Sequence, residues 1–238
     1  MKIATAANCQ GSALRAMLRY HYDVDCVDSL SEHFDWSELK TLDGFVYQPK
    51  SLQPAMLAEL TCPIASFPRI YGAAFAPMYK DRRGIIGSEP ILALKEAGWT
   101  VDGACKLFRT LNIPFRLKER HESCMAIIRA QVDVCNVHIS DIIDAKIHTE
   151  RIFTTQNHPT AALMYPIFDR IVHVLGLGPW EPPFMDVSFS AGSNAVTPYE
   201  TVELGLEWVD MAHLDLWWGS YENLIKEIYA GNIVQPVR

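Results

Sequence analysis

Cysteine and histidine together supply a nucleophile and a base that work near neutral pH, and this chain places one of each in a setting that favours chemistry. Cys9 lies in Ala7-Asn8-Cys9-Gln10-Gly11-Ser12, directly after the short apolar run that opens the chain. His158 lies in Gln156-Asn157-His158-Pro159-Thr160, directly after Arg151-Ile152-Phe153-Thr154-Thr155. A thiol becomes a strong nucleophile once it loses its proton, and a neutral imidazole can accept that proton. A tetrahedral acyl intermediate also needs N–H donors aimed at its oxyanion. Asn8, Gln10, Gln48 and Asn157 are amides of the right type for the oxyanion or for positioning a substrate. The chemistry these types suggest is acyl transfer or ester hydrolysis through Cys9 and His158. Alone the pairing is weak: a Cys at a strand end is more often a small buried residue, and His-Pro at a helix start is often only a turn.

The elements around these residues must bring them together. The run from Met1 to Ala7 is brief, lacks helical spacing and is bounded by Gly11, which reads as a buried strand. Gly11 permits a tight turn, and Ser12 can cap a helix from Ala13 to His21 with Leu14, Met17 and Leu18 on one face. Cys9 then sits at the carboxyl end of a strand and just ahead of a helix N-terminus. Reacting groups gather there in open α/β sheets, and the helix end favours a thiolate.

A second strand is expected over Tyr22–Asp28 and a third over Gly44–Gln48, stopped by Pro49, with its terminal Gln48 along the same sheet edge as Cys9. Pro54–Leu60 reads as a short helix, and Ala65–Tyr79 as a strand running into an ordered aromatic loop. Ser88–Ile128 is mainly helical, as is Ile139–Ile147. Arg151–Thr155 is a strand, and Ala161–Leu175 is a strong helix ended by Gly176.

The expected fold is therefore α/β: mainly helical, with a small, mostly parallel central sheet. Residues 1–178 make the catalytic domain. Residues 179–238 form an aromatic-rich C-terminal appendage packed on that domain, with a helix over Tyr221–Tyr229, because so short a segment rarely builds its own core.

The 238 residues are 49 % hydrophobic and 21 % charged, with a formal net charge of −7. That balance allows a sizeable core and argues against extended phosphate-backbone binding, so no nucleic-acid partner is expected. No apolar run is long enough for a membrane span, and the N-terminus has no signal-peptide pattern. The six cysteines are scattered without a CxxC pair. They read as cytosolic free thiols, neither a disulfide frame nor a metal site, and a cytoplasmic protein is expected. Arginines such as Arg69, Arg82 and Arg83 can hold a phosphate, although a solvated face is the commoner role. Trp208, Trp217 and Trp218 can stack on a sugar or an adenine, although core packing is commoner.

Several motifs in order resemble one family. They are Ala7-Asn8-Cys9-Gln10-Gly11, Phe67-Pro68-Arg69-Ile70-Tyr71 with Phe75-Ala76-Pro77, Gly98-Trp99-Thr100-Val101, the region from Arg120-His121-Glu122 to Ile139-Ser140-Asp141-Ile142-Ile143, Arg151 through Thr160, and Leu175-Gly176-Leu177. Together they are similar to the WcbI-type polysaccharide biosynthesis acetyltransferase family of capsule clusters, over about residues 1–178. Ala7 departs from the Gly common before Asn-Cys, and Phe75-Ala76-Pro77 lacks a polar residue often found before that Pro.

The resemblance implies an acyltransferase that uses coenzyme A, as acetyl-CoA, as co-substrate and a glycan or glycan precursor as acceptor. It implies a Cys9–His158 pair and no metal, with Arg69, Tyr71 and Arg82 as the candidate cofactor contacts. The layout is also distantly similar to the three-layer arrangement of SGNH hydrolases, with Cys as nucleophile. Their acid three residues before the His falls at Thr155, which is no acid, so an orienting partner for His158 is expected from elsewhere or from an amide or carbonyl. Two other readings stand beside this one: an esterase or thioesterase using the same pair, and a non-catalytic glycan- or nucleotide-binding module.

Overall fold

The structure, a computed structural model, describes residues 1–31, 34–49, 57–72, 74–75, 77–81, 84–182, 196–209 and 218–231. Four short strands form its central sheet: β1 (Lys2–Ala6), β2 (Asp25–Asp28), β3 (Gly44–Tyr47) and β4 (Ile64–Ser66). All pairs are parallel and the order is β2-β1-β3-β4. β1 is thus central, and its apolar residues bury to both sides. Ala4, Ala6 and Phe45 pack with Leu39 and Leu42 on one face, while Ile3, Val46 and Ala65 enter the main core on the other. The chain leaves β1 towards β2 and later returns to β1's other side as β3. The sheet therefore reverses its strand order between β1 and β3, and Asn8 and Gln48 follow the carboxyl ends of these two strands. Ligand sites in open α/β sheets form at such a reversal.

Helix α1 spans Cys9–His21, so it starts four residues before the expected Ala13. Its cap is Asn8, whose side chain accepts from the Gln10 backbone N–H at 2.9 Å. Gly11 sits inside the first turn, where a Cβ would lie 3.0 Å from that of Ala7. Its smallness lets α1 press against the end of β1, which is a packing role in place of the expected turn. Small polar residues hid this turn of helix, because they carry no apolar periodicity.

The long helical region resolves into α2 (Glu89–Glu96), α3 (Val101–Arg109) and α4 (Leu117–Arg129), followed by α5 (Ser140–Lys146). Helix α6 (Ala161–Val174) buries Leu163, Met164, Ile167, Phe168 and Ile171 completely. Two antiparallel hairpins complete the picture: β5 (Tyr79–Asp81) with β6 (Gly84–Ile86), and β7 (Phe153–Thr155) with β8 (His158–Pro159). The strand expected over Arg151–Thr155 is thus no member of the central sheet, and the expected helix over 54–60 lies largely outside the described residues. Beyond residue 179 come α7 (Pro198–Leu204) and α8 (Trp218–Ala230). Their Tyr199, Leu204, Tyr221, Ile225 and Ile228 join the main core. No described helix is long and apolar enough to cross a membrane.

A candidate acyl-transfer site at the end of the central strands

Cys9 opens α1 and is exposed, whereas Cys26, Cys105 and Cys135 are buried. Burial pushes the thiols of Cys26 and Cys135 up to about 11, which keeps them protonated and inert at neutral pH. Cys9 and His158 share the walls of one small pocket with Gln10, Ala13, Pro159 and Met164. The pocket sits at the carboxyl edge of the sheet, roofed by the β7–β8 hairpin.

The hairpin is fixed to α1 and to the loop after β4 by a set of buried amides. Gln10 Nε2 donates to the Ile70 carbonyl at 2.7 Å and to the Asn157 carbonyl at 3.1 Å. Gln48 Nε2 donates to Gln10 Oε1 at 2.6 Å and to the Pro68 carbonyl at 3.4 Å, while Gln48 Oε1 accepts from the Asn8 N–H. The Gly72 N–H donates to the Gln156 carbonyl at 2.6 Å, and the Tyr71 hydroxyl lies 2.5 Å from Gln156 Oε1. Gln10, Gln48 and Gln156 are almost fully buried.

These partners correct one expectation. Both N–H groups of each of the Gln10 and Gln48 amides are engaged, so neither amide has a donor left for an oxyanion. They tie the segments that carry Cys9 and His158 to one another. Asn8 differs. Its Oδ1 caps α1, which turns its Nδ2 the other way, and that nitrogen is buried with no hydrogen-bond partner among the described residues. An unpaired buried donor costs about 1–3 kcal/mol, so its presence beside Cys9 calls for a reason.

A second correction concerns His158. Thr155 and His158 face each other across the hairpin, and the Thr155 hydroxyl lies 2.6 Å from His158 Nδ1 and 3.2 Å from Asn157 Oδ1. The orienting partner is thus the residue that the sequence reading set aside. The expectation of an amide, a carbonyl or a group from elsewhere overlooks that a hydroxyl can also hydrogen-bond an imidazole.

The expected cofactor contacts separate. Tyr71 lines a large cleft, Arg69 is exposed, and Arg82 lies outside the described residues. The cleft runs between α2 and α4, has a volume of about 760 Å³, and includes Pro114, Phe115, Arg116, Arg120, Ser123, Ile127 and Gln156 in its walls. Arg116 reaches from its rim, paired with Glu119 only at 3.8 Å and largely solvent-exposed. Arg120 donates to the Pro77 carbonyl at 3.1 Å. Both arginines were missed because, in the sequence, acids interrupt the basic patch that holds them.

No curated protein matches the chain. Among solved structures, it superposes with a TM-score of 0.67 and 15 % identity, over 97 % of this chain and 95 % of the other, on a native form of WcbI. That structure is described as a polysaccharide biosynthesis enzyme without a disulfide bond between coenzyme A and one of its cysteines. Identity this low speaks for the shared fold alone. The sequence itself carries the kinship: the model of the WcbI polysaccharide biosynthesis enzymes matches residues 2–179, from β1 through the His158 hairpin and α6. With three-quarters of its length matched in this way, the chain belongs to the WcbI family of polysaccharide biosynthesis enzymes.

Proposed function

We propose that the protein is a coenzyme A-dependent O-acyltransferase that acylates a hydroxyl of a glycan or glycan precursor through Cys9 and His158. The observation that carries this reading is an exposed thiol at a helix N-terminus in one pocket with a histidine. His158 removes the Cys9 proton, and the thiolate adds to the thioester carbonyl of the donor. Asn8 Nδ2, which lacks any other partner among the described residues, donates to the oxyanion as it forms. Collapse of the adduct expels the donor thiolate, which recovers the proton from His158. His158 then deprotonates the acceptor hydroxyl, which takes the acyl group from Cys9 and leaves the thiol as it began.

The large cleft fits such a donor. Its apolar walls suit an extended chain, and Arg116 and Arg120 suit phosphates. Tyr71 and Gln156 belong both to the cleft and to the framework of the site, so the two lie side by side. That coenzyme A is named with the WcbI structure of the same fold supports the choice of donor.

The test is incubation with acetyl-CoA with and without sugar acceptors, following free thiol and acylated product. Cys9→Ala and His158→Ala are each expected to lower turnover at least about 10³-fold with the melting temperature preserved. Full transfer by Cys9→Ala removes the covalent route and leaves His158 acting directly on the acceptor. Release of acetate with no acylated sugar makes the protein a thioesterase, since the two outcomes differ only in whether water is excluded.

A further inference from the structure

We propose that Thr155 is the positioning residue of the site and that it sets the tautomer of His158. The inference rests on the reading of His158 as the base. Residues Gln156 and Asn157 form the turn between β7 and β8, so Thr155 and His158 become a facing pair. The Thr155 hydroxyl is 2.6 Å from His158 Nδ1 and 3.2 Å from Asn157 Oδ1. It owns one hydrogen. An amide oxygen can only accept, so that hydrogen goes to Asn157 Oδ1. Nδ1 must then bring its own hydrogen and donate to the Thr155 oxygen.

The imidazole is therefore held as the Nδ1–H form, with Nε2 bare. That is the nitrogen a base needs when the far side of the ring is anchored. The hairpin holds the device in place from both ends. Thr154 Oγ1 donates to the His158 carbonyl at 3.1 Å, and Gln10 donates to the Asn157 carbonyl.

The arrangement does the orienting work of a carboxylate without its charge. The groups that share the pocket with His158 are Cys9, Gln10, Ala13, Pro159 and Met164, and none is a carboxylate. The hairpin adds only Thr155 and Asn157 beside the ring, both neutral. A neutral anchor fixes the direction of the ring but stabilises the imidazolium less than a carboxylate does, so the proton taken from Cys9 is returned more readily to the leaving thiol or passed on. It also assigns Asn157 a part the chain had not declared: its side-chain oxygen orients the hydroxyl, one step removed from the base.

Three variants of the full chain test this. Thr155→Val removes the hydroxyl at nearly constant shape, Thr155→Ser keeps it, and Thr155→Asp restores the carboxylate of hydrolase triads. Thr155→Val is expected to lower kcat about 10- to 100-fold with KM for acetyl-CoA unchanged, and Thr155→Ser to stay within about threefold of the native chain. Thr155→Asp is expected to move the acid limb of the kcat/KM profile upward by about one pH unit, because an adjacent carboxylate favours the protonated ring.

Nitrogen-15 NMR of the His158 ring in the unmodified protein should report the Nδ1–H tautomer, and this measurement needs neither a variant nor activity. An Nε2–H signal there, or a Thr155→Val chain with native kcat, overturns the proposal. Equal losses in Thr155→Ser and Thr155→Val also overturn it, because they make the residue merely structural. Native turnover by His158→Ala instead removes the base itself, an outcome that the tautomer measurement keeps distinct from a failure at Thr155.

Discussion

At the scale of single residues, the amides around Cys9 divide by which of their atoms are already taken. Gln10 gives both side-chain N–H groups to carbonyls, and Gln48 gives its two to the Gln10 side-chain oxygen and the Pro68 carbonyl, which helps tie together α1, the loop after β4 and the β7–β8 turn. Asn8 gives only its oxygen. Asn8→Asp tests that division, because a carboxylate still caps α1 but has no N–H. Stability is expected to stay within about 0.5 kcal/mol of native, while kcat falls about 10²-fold. Asn8→Ala is expected to lose about 1 kcal/mol of stability as well, since the cap goes with the donor. Urea denaturation and steady-state kinetics on the same preparations separate the two effects.

At the scale of elements, the turn that follows the β5–β6 hairpin borders the large cleft. Gly87 ends that hairpin at φ +79°, where a Cβ would stand 2.1 Å from the Pro77 carbonyl oxygen. That oxygen receives the Arg120 guanidinium, so the glycine, the carbonyl and the cleft arginine form one contact chain. Gly87→Ala is expected to cost about 2–3 kcal/mol, from the left-handed backbone and the displaced carbonyl together. By shifting Arg120 it should also weaken retention of coenzyme A. The denaturation midpoint reads the first effect and calorimetric titration with coenzyme A the second. A stability loss with native affinity would show that Arg120 does not touch the ligand.

At the scale of the whole molecule, the last two described helices share the core of the rest. Phe108 of α3 stacks on Tyr221 of α8 with ring centroids 5.3 Å apart and packs against Tyr199 of α7 at 5.3 Å. The Tyr199 hydroxyl donates to the Phe108 carbonyl and accepts from the Ile113 N–H, and burial pushes that phenol up to about 12. Lys95 of α2 reaches the Tyr229 carbonyl at the end of α8. Such packing argues that the region after residue 179 unfolds with the sheet. Ile225→Ala, at a fully buried site, is expected to destabilise by about 2–5 kcal/mol. The loss should appear in one cooperative transition, with near-ultraviolet circular dichroism and alkylation of Cys26 reporting the same midpoint. A separate early transition for the tail would show that it unfolds independently of the sheet.

Local order reads directly from the residues where one physical pattern governs a segment. β1, β3 and α6 are legible because buried strands are short apolar runs and a core helix repeats its apolar face, and Cys9 and His158 stand out because few residue types can act as nucleophile and base. The start of α1 and the β5–β6 hairpin are not legible, because small polar residues carry no period and strand pairing is a contact between separated segments. The same reason hides everything about partnership: which amide is engaged, which arginine faces the cleft, and that a threonine anchors His158. Residue type decides what a side chain can donate or accept. Only folding decides which atoms come within 3 Å of it, because those partners come from distant parts of the chain and from the turn of a hairpin.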